Sequence, residues 1–438
     1  MTLNTAIRES TNEGRFLSLL VLLTFVIHPV AFALNADTSL SVYVTFAAYL
    51  LLLVYAVINR KWLIRRYEIV LICIACVGCI IGAAAGIQTF GDSGFGSVAG
   101  YLIGLTAILP FSARLNRADV ALLLYVVLLF GLVAALYAFV FQVTQWTNVL
   151  RGSQAGSNSW RYFSFFGQRN RFAACLYLST VCGSSLFVLT KRKTFIIAVI
   201  FLVFQIAITN SRTALVAALL SVFACVYFGS KSRLPIVFAL GCVSLLAVSL
   251  FAEELASHLG AYFSHYGGYD SASARTDMWE FGMRELAEKG MWLFGFGTGT
   301  QNIALMPLFG VSSFHNMYIE LLFEGGAIKV GTYLILIASS VVVAKSNATF
   351  TDARLFRLFY LPLLVSWLVF SVFEAGATPF STTFFSFVMS VFLIVLPRCC
   401  VENAELIEKP SRSLTLLKRT ERDSVDARWA VAARASGK

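Results

Sequence analysis

Long apolar runs separated by short polar stretches dominate the hydrophobic pattern of this chain. About twelve of these runs approach or exceed the length of a membrane-spanning helix, which needs about 20 predominantly apolar residues. The pattern therefore predicts an all-α polytopic membrane protein with about twelve transmembrane helices. The predicted spans lie at 16–34, 40–58, 69–90, 95–112, 119–144, 167–190, 194–210, 212–229, 234–252, 314–344, 357–374 and 380–397.

The longest polar interruption, residues 253–313, separates the ninth and tenth predicted spans. Within it, apolar residues recur at helical spacing over 273–289, and Gly290 supplies a stop signal. This spacing predicts an amphipathic helix at the membrane surface. We therefore expect one transmembrane helical domain at 1–397, which includes this large outer segment, and a polar cytoplasmic tail at 398–438.

The composition agrees with a membrane protein and excludes several other classes. Hydrophobic residues make up 58% of the chain and charged residues 13%, against about 45–50% and about 25% in ordinary globular domains. This balance excludes collagen-like, disordered and disulfide-framework proteins. The nine cysteines lie within predicted spans or on the predicted cytoplasmic side, so the sequence implies no disulfide framework.

The basic residues indicate orientation rather than nucleic-acid binding. The formal net charge is +11, but a nucleic-acid interface would need basic residues gathered on one solvated face. Lys and Arg collect on the cytoplasmic loops of membrane proteins, and most of the 34 in this chain share one side when the N-terminus is cytoplasmic. We therefore expect both termini to be cytoplasmic. An uncleaved first span fits this parity, and a signal peptide cleaved near Ala33 is the alternative.

Four separate stretches of sequence place cations or an imidazole on the outer face. Because this face is otherwise poor in positive charge, its arginines indicate an anionic ligand, and guanidinium groups bind phosphate oxygens bidentately. The alternative is that each arginine reaches lipid headgroups, which is the simpler interpretation of Arg151 and Arg284 and stays open for Arg161. The candidate residues are Arg161, Gln168, Arg169, Asn170, Arg171, Arg212, Arg275, His315 and Asn316.

His315 is the candidate for proton transfer, because an imidazole titrates near neutral pH. A lone histidine is more often structural than catalytic. The argument for His315 depends on its neighbours, since Asn316 follows it and Glu320 and Glu324 lie one and two turns deeper in the same predicted helix. Arginines are expected at the same depth as the imidazole.

The sequence offers little support for a metal or a phosphate loop. The glycines from Gly295 to Gly299 follow no predicted strand and precede no Lys-Ser/Thr pair, so we interpret the run as a flexible hinge. The outer loops contain no Asp-x-Asp pair and no histidine cluster, so we predict no metal and no other cofactor. Cys73, Cys76 and Cys79 share a helical face, but glycines at four-residue spacing in that span favour close helix packing.

Taken in order, these motifs resemble those of the O-antigen ligase and O-antigen polymerase superfamily. The members of this superfamily are bacterial inner-membrane glycosyltransferases. The resemblance covers about 165–330 in its motifs and the whole chain in its topology. The matching residues are Gln168-Arg169-Asn170, Ser211-Arg212-Thr213-Ala214, Arg275 with Trp279, Gly295 to Gly299, and His315-Asn316 with Gly325-Gly326.

The resemblance implies an enzyme that transfers a glycan from undecaprenyl pyrophosphate to a sugar hydroxyl at the periplasmic face. An O-antigen ligase uses the lipid A core as acceptor, whereas a polymerase uses another lipid-linked repeat unit. One dominant loop after the ninth span is more similar to a ligase. Because of the smaller loop at 145–166, which contains Arg151 and Arg161, a polymerase remains the alternative. The implied partners are the donor lipid, the acceptor core and membrane lipids, without nucleic acid.

The resemblance also implies roles for particular residues. Arg212 and Arg275 would contact the pyrophosphate and stabilise its charge as it leaves. His315 would accept the proton of the attacking hydroxyl, and direct attack would invert the anomeric centre. The remaining candidates for substrate binding are Gln168, Arg169, Asn170, Arg171, Arg161, Asn316 and Trp279.

Other classes of membrane protein make different demands on the sequence. A secondary transporter should carry its polar residues near the bilayer midplane in two related halves, and a flippase should line a cavity open to both sides. In this chain the polar residues gather at one face, without a visible repeat. A metal-dependent polyprenyl-phosphate glycosyltransferase would need an acidic residue in the first outer loop, where Asp37 is the candidate.

Overall fold

The computed structural model describes eleven stretches of the chain, and their regular elements are helices. The all-α part of the predicted fold class is therefore confirmed for these residues. The predicted ninth span, most of the outer segment before its amphipathic helix, Arg161 and nearly all of the polar tail lie outside them. The described residues are 2–33, 39–61, 66–91, 95–111, 115–150, 162–209, 211–229, 272–346, 356–374, 378–380 and 385–398.

The described residues contain fifteen α-helices, numbered in chain order, with π-helical turns before α14 (Phe356–Tyr360) and after α15 (Val391–Val395). The helices are α1 (Leu3–Glu9), α2 (Asn12–Ala33), α3 (Ser39–Ile58), α4 (Arg66–Phe90), α5 (Phe95–Ile108), α6 (Arg117–Phe141), α7 (Val143–Leu150), α8 (Arg169–Thr190), α9 (Thr194–Ile208), α10 (Arg212–Gly229), α11 (Ala272–Glu288), α12 (Thr300–Phe309), α13 (Met317–Ser346), α14 (Leu361–Phe373) and α15 (Ser386–Ser390).

Several of these helices are long and apolar enough to cross a membrane, so the chain is a multi-pass membrane protein. Five helical stretches in the described residues meet both criteria, and shorter apolar helices accompany them. The count of about twelve spans stays a prediction. The five stretches are Arg66–Phe90, Arg117–Phe141, Arg169–Thr190, Arg212–Gly229 and Met317–Val343.

Helix α8 forms the centre of the bundle and packs against α6, α9 and α10. Small residues allow these backbones to approach closely, which is how helices associate within lipid. A Cβ on Gly131 of α6 would lie 2.0 Å from Ser179 Oγ of α8. That hydroxyl donates to Val127 O of α6 at 2.9 Å and to Cys175 O of its own helix at 2.9 Å. The hydroxyl thus ties two spans together without an unpaired polar group.

Helices α8 and α10 run antiparallel to α14. Ser185, near the end of α8, donates to Leu358 O at 3.0 Å, and Cys225, near the end of α10, donates to the same oxygen at 3.4 Å. Further along, Tyr177 of α8 shares a 2.7 Å hydrogen bond with Ser366 of α14. The first residues of α8 and α10 therefore lie at the same end of the bundle as the last residue of α14. We call this the site end.

The span α13 is broken at Gly326, whose backbone angles are φ 60° and ψ −162°. In an unbroken helix, the amides of Ala327 and Ile328 would donate to carbonyls four residues earlier. Here they donate instead to Trp292 O at 2.8 Å and Leu293 O at 3.3 Å. The partners come from the loop that joins α11 to α12, residues 289–299, which we call the inserted loop.

The carbonyls freed by the break are also satisfied by the inserted loop. Phe296 N donates to Phe323 O at 2.8 Å, and Gly297 N donates to Glu324 O at 2.7 Å. An unsatisfied backbone group costs several kcal/mol in the bilayer, so a broken span needs such replacement partners. The loop and the break therefore form one structural unit.

Glycines make this insertion sterically possible, and the predicted flexible hinge at Gly295 to Gly299 is wrong. Gly295 has φ +64°, and a Cβ there would lie 2.5 Å from Gly325 N. On the other side of the loop, a Cβ on Gly82 of α4 would lie 2.8 Å from Phe294 O. The run is buried over most of its length and is hydrogen-bonded to α13, because its glycines permit close backbone contact.

At the opposite end of the bundle, Asp119 of α6 holds the N-terminal helix α1. Its carboxylate accepts from Thr11 N at 2.7 Å and from Thr11 Oγ1 at 3.0 Å. It also accepts from Asn116 N at 2.7 Å, while Asn116 caps the start of α6. Asn116 donates in addition to Glu9 O at 3.0 Å. One carboxylate thus caps a span and fastens the segment that precedes the first long helix.

Candidate active site at one end of the bundle

His315 lies at the site end, immediately before α13, in a left-handed backbone conformation with φ +51°. Positive φ is uncommon outside glycine and is seen where surrounding contacts enforce it, often at functional sites. The backbone amide of His315 donates to Ser313 Oγ at 3.1 Å. Its Nδ1 lies 3.7 Å from Glu374 Oε2, just beyond the end of α14. Both side chains are largely but not fully buried, at 17% and 13% exposure.

Asn316 fixes the direction in which α13 leaves this site. Its Oδ1 accepts hydrogen bonds from Tyr318 N at 3.0 Å and Ile319 N at 3.1 Å, which makes it the cap of the helix. The residue is buried. Helix capping therefore occupies the oxygen of a side chain that the sequence predicted to bind substrate, and the predicted substrate contact stays a prediction.

A second carboxylate approaches His315 through Ser313. The Ser313 hydroxyl donates to Glu320 Oε2 at 2.8 Å while it accepts from the His315 amide. Glu320 and Glu374 thus flank the imidazole from two different helices.

Arg275 is held at the same place by the end of α14. Its Nη1 donates to Phe373 O at 3.2 Å, while its Nε is buried without a hydrogen-bond acceptor among the described residues. Helix α11 is fastened nearby, since Trp279 Nε1 donates to Phe314 O at 2.8 Å. The guanidinium of Arg275 and the imidazole of His315 are therefore anchored on the consecutive residues Phe373 and Glu374.

The start of α10 contributes Arg212 to the site end. Arg212 is the first residue of that helix, and its side chain is exposed. Because α10 runs antiparallel to α14, this residue lies at the level of Phe373. The structure thus brings Arg212 to the same end of the bundle as Arg275 and His315.

The start of α8 adds further polar residues at this level. Gln168 is exposed and precedes the helix without a side-chain capping bond. Arg169, Asn170 and Arg171 form the first turn and are each partly buried. Arg161, predicted to bind substrate with them, lies outside the described residues.

The segment before α8 is docked by buried hydrogen bonds that fix where the helix begins. Tyr162 donates to Gln205 Oε1 of α9, and Gln142 Oε1 accepts from Ser164 N at 3.0 Å. Burial raises the pKa of the Tyr162 phenol, so it stays neutral and a donor. These contacts position the first turn of α8, including Arg169, relative to the bundle.

Sequence reasoning missed Glu374, although it carried a weak signal. The residue is an ionisable group at the outer end of the apolar run 357–374, where such groups mark functional candidates. Its relation to His315 is nonlocal, because the two residues come from different helices. Among the described residues, no group of three or more His, Cys, Asp or Glu is placed to hold a metal ion.

Comparison with known protein families adds a finding that the geometry alone does not supply. Residues 197–334 match a family model described as O-antigen ligase. This segment is therefore similar to the O-antigen ligase family. The match supports membership of the O-antigen ligase superfamily and confirms the resemblance drawn from the motifs. A comparison with curated proteins gives no match.

The matched segment holds three of the residues gathered at the site end. The matched segment runs from the first turns of α9 to the second half of α13 and contains Arg212, Arg275 and His315. Arg169 precedes it, and Glu374 follows it. The site end is thus assembled from the matched segment and from helices on both sides of it in the chain.

Proposed function

We propose that this membrane protein is an O-antigen ligase. It moves an O-antigen glycan from undecaprenyl pyrophosphate to a sugar hydroxyl of the lipid A core, at the periplasmic face of the bacterial inner membrane. The observation that carries this proposal is the anchoring of Arg275 and His315 on the adjacent residues Phe373 and Glu374. It brings an anion-binding group and a proton acceptor together, within a domain of the matching family.

On the donor side, Arg275 and Arg212 bind the pyrophosphate, with Arg169 close by. Arg275 suits this role because its Nη1 donates to Phe373 O while its buried Nε has no acceptor among the described residues. A buried donor without a partner is costly, and a phosphate oxygen satisfies it. The fixed cations then stabilise the negative charge that develops as the pyrophosphate departs.

On the acceptor side, His315 is the general base. With Nδ1 directed at Glu374, Nε2 is the nitrogen that takes the proton of the attacking hydroxyl. The new bond joins the acceptor oxygen to the sugar C1, the bond between C1 and the phosphate oxygen breaks, and its electron pair leaves with the pyrophosphate. Attack opposite the leaving group inverts the anomeric centre. Glu374 stabilises the imidazolium that results.

Arginines supply the positive charge that a divalent metal provides in many phosphate-transferring enzymes. The proposed mechanism therefore needs no metal and no other cofactor. If the enzyme is instead metal-dependent, prolonged incubation with EDTA will abolish transfer and added Mg²⁺ or Mn²⁺ will restore it. Unchanged transfer in EDTA is the expected result.

The proposed orientation places both termini, including the tail 398–438, in the cytoplasm and the segment 253–313 in the periplasm. It follows from the distribution of Lys and Arg. The transmembrane domain then presents its site end to the periplasm, where lipid-linked glycans and the lipid A core meet. A transporter or flippase would need its polar residues deeper and accessible from both sides.

The experiment that tests the function is deletion of the gene followed by electrophoresis of lipopolysaccharide. A ligase is supported when the lipid A core carries no O-antigen while polymer accumulates on its lipid carrier. A single repeat unit on the core identifies a polymerase instead. Wild-type lipopolysaccharide would contradict both assignments. Purified protein with a lipid-linked glycan and core oligosaccharide then tests whether the chain alone performs the transfer.

A further inference from the structure

A buried polar cluster lies where the inserted loop enters the break of α13, below the site end. The ammonium of Lys329 pairs with Glu324 Oε2 and donates to Thr298 Oγ1 at 2.9 Å. The other carboxylate oxygen, Glu324 Oε1, accepts from Gly299 N at 2.9 Å. The ammonium also lies 4.7 Å from the centre of the Tyr101 ring. We call the four residues Glu324, Lys329, Thr298 and Gly299 the loop lock.

The loop lock joins parts of the chain that an ordinary helix would keep apart. Glu324 precedes the break at Gly326 and Lys329 follows it, and residues five apart do not face each other on a regular helix. Both side chains are at least nine-tenths buried within a candidate span. Charged groups at this depth are expensive and are retained where they serve function or specify one arrangement.

The loop lock also connects the two chemical halves of the proposed site. The inserted loop follows α11, which carries Arg275, and the first half of α13 follows His315 directly. Thr298 and Gly299 belong to the loop, whereas Glu324 and Lys329 belong to α13. The ion pair thus spans the junction between the element that bears the arginine and the element that bears the histidine.

We propose that the loop lock is a positioning device that sets the separation of Arg275 from His315, and so the separation of the donor pyrophosphate from the general base. The inference rests on the proposed ligase function. Glu324 and Lys329 touch no substrate in this scheme and act through the inserted loop. Because catalysis requires reacting groups to be placed within a fraction of an ångström, a loosened junction lowers turnover more than binding.

Thr298 offers a test that preserves the fold. Thr298→Val keeps the shape of the side chain and removes the hydroxyl that accepts from Lys329. We expect kcat of the purified full-length protein to fall about 10-fold, with KM for the lipid-linked donor changed less than about twofold. Thr298→Ser retains the hydroxyl and should restore wild-type kcat. Wild-type kcat in a folded Thr298→Val protein would overturn the proposal.

Thr332 provides the matched control, because it is a buried threonine in the second half of the same helix. Its hydroxyl donates to Ile328 O at 2.8 Å and takes no part in the loop lock. Thr332→Val should leave kcat, KM and thermal stability close to wild type. A fall in kcat equal to that of Thr298→Val would mean that any lost hydroxyl in this region impairs the enzyme, and the proposal would fail.

The ion pair itself is tested by removing both charges together. Lys329→Met alone leaves a buried carboxylate unpaired and is expected to misfold. The double variant Glu324→Gln and Lys329→Met keeps an acceptor for Gly299 N and a similar volume. We expect it to remain monodisperse in detergent while kcat falls at least 10-fold at nearly unchanged donor KM. A monodisperse double variant with wild-type kcat would contradict a positioning role.

Amide hydrogen exchange separates this inference from the proposed function. The amides of Phe296, Gly297, Ala327 and Ile328 bridge the loop and the break. In the Thr298→Val and double variants, exchange at these four amides should rise while that of α8 is unchanged. Unaltered exchange overturns the loop lock whether or not the protein is a ligase. If exchange is faster in the variants but the wild-type protein shows no transfer activity, the loop lock does hold the inserted loop to the break of α13, and the ligase function is rejected.

Discussion

His315 adopts a conformation that most residues avoid, and its surroundings account for it. Its φ is +51°, and the residue lies between two fixed points: its own amide donates to Ser313, and the next residue, Asn316, caps α13. In this conformation the imidazole Nδ1 lies 3.7 Å from Glu374 Oε2. Local sequence could suggest the histidine as a base, but its partner carboxylate lies in a different helix.

The imidazole–carboxylate pair predicts a matched set of kinetic effects. His315→Ala should lower kcat by about 10²–10⁴, the usual value of general base catalysis, without loss of membrane insertion. Glu374→Gln keeps the size of the side chain but no longer stabilises the imidazolium, so we expect kcat to fall by about 10². Transfer rates of purified protein at saturating donor measure both effects.

Glu288→Gln is the control for Glu374→Gln, because Glu288 ends α11 with an exposed side chain. It should retain the wild-type rate. Retained transfer in His315→Ala would remove the histidine from the mechanism. Equal losses in Glu374→Gln and Glu288→Gln would show that overall charge, rather than the pair, determines the rate.

Arg275 tests whether the pyrophosphate is held by a planar fork or by charge alone. Lysine keeps the charge but cannot donate both to Phe373 O and, bidentately, to a phosphate. We therefore expect Arg275→Lys to lower kcat/KM for the donor by about 10²-fold, as for loss of one donor that stabilises a developing anion. Arg284→Lys, an exposed arginine of the same helix, should be close to wild type. A mild effect at Arg275 would indicate headgroup anchoring instead.

At the scale of the element, α13 with its inserted loop is the feature that organises the site. Gly326 is required by geometry, because a Cβ there would lie 2.3 Å from Leu293 C and its φ is +60°. Gly331 lies in the second half of the same helix with no atom within 4 Å of its Cβ position. Glycine is therefore required sterically at position 326 but not at position 331.

Replacing each glycine with alanine gives a paired prediction. Gly326→Ala should expel the inserted loop, with loss of transfer and a large loss of folded protein. Gly331→Ala should be neutral or stabilise the helix by up to about 1 kcal/mol, since alanine favours helices over glycine. Thermal unfolding in detergent and transfer rate measure both variants. A folded, active Gly326→Ala protein would contradict the inserted-loop arrangement.

At this scale, a structural element can be predicted from the sequence only when its signal lies in neighbouring residues. The amphipathic pattern at 273–289 lies within one residue of helix α11, because helical periodicity depends only on neighbouring residues. The glycine pattern from Gly295 to Gly299 predicts a hinge, whereas the structure has a buried, hydrogen-bonded loop there. Its glycines serve contacts with Gly325 and Gly82, and no local pattern reveals partners that distant in the chain.

Across the whole molecule, antiparallel packing of α8, α10 and α14 collects the candidate residues at one end. The charge pattern predicted that they would share a face, because it distinguishes the two sides of the membrane. It could not predict that Phe373 and Glu374 anchor Arg275 and His315, since helix neighbours in the bundle are not encoded by hydropathy.

The opposite end of the bundle offers a stability prediction independent of function. Asp119→Ala removes the bonds that hold Thr11 and one half of the capping box with Asn116. We expect a loss of about 1–3 kcal/mol in unfolding free energy and faster proteolysis near residue 11, with transfer per folded molecule unchanged. Glu9→Ala, at an exposed side chain of α1, should leave both measures alone. Unchanged proteolysis in Asp119→Ala would show that Asp119 does not hold the segment around Thr11 in place.

The position of Phe373 and Glu374 outside residues 197–334 has a practical consequence for chimeric enzymes. A graft that transplants only the family segment would import an arginine and a histidine whose two supports remain those of the host. Such hybrids are expected to insert into membranes yet turn over poorly. Donor preference should therefore be exchanged between homologous enzymes only when residues 361–374 are transferred with the segment, so that the arginine and the histidine both keep their native contacts.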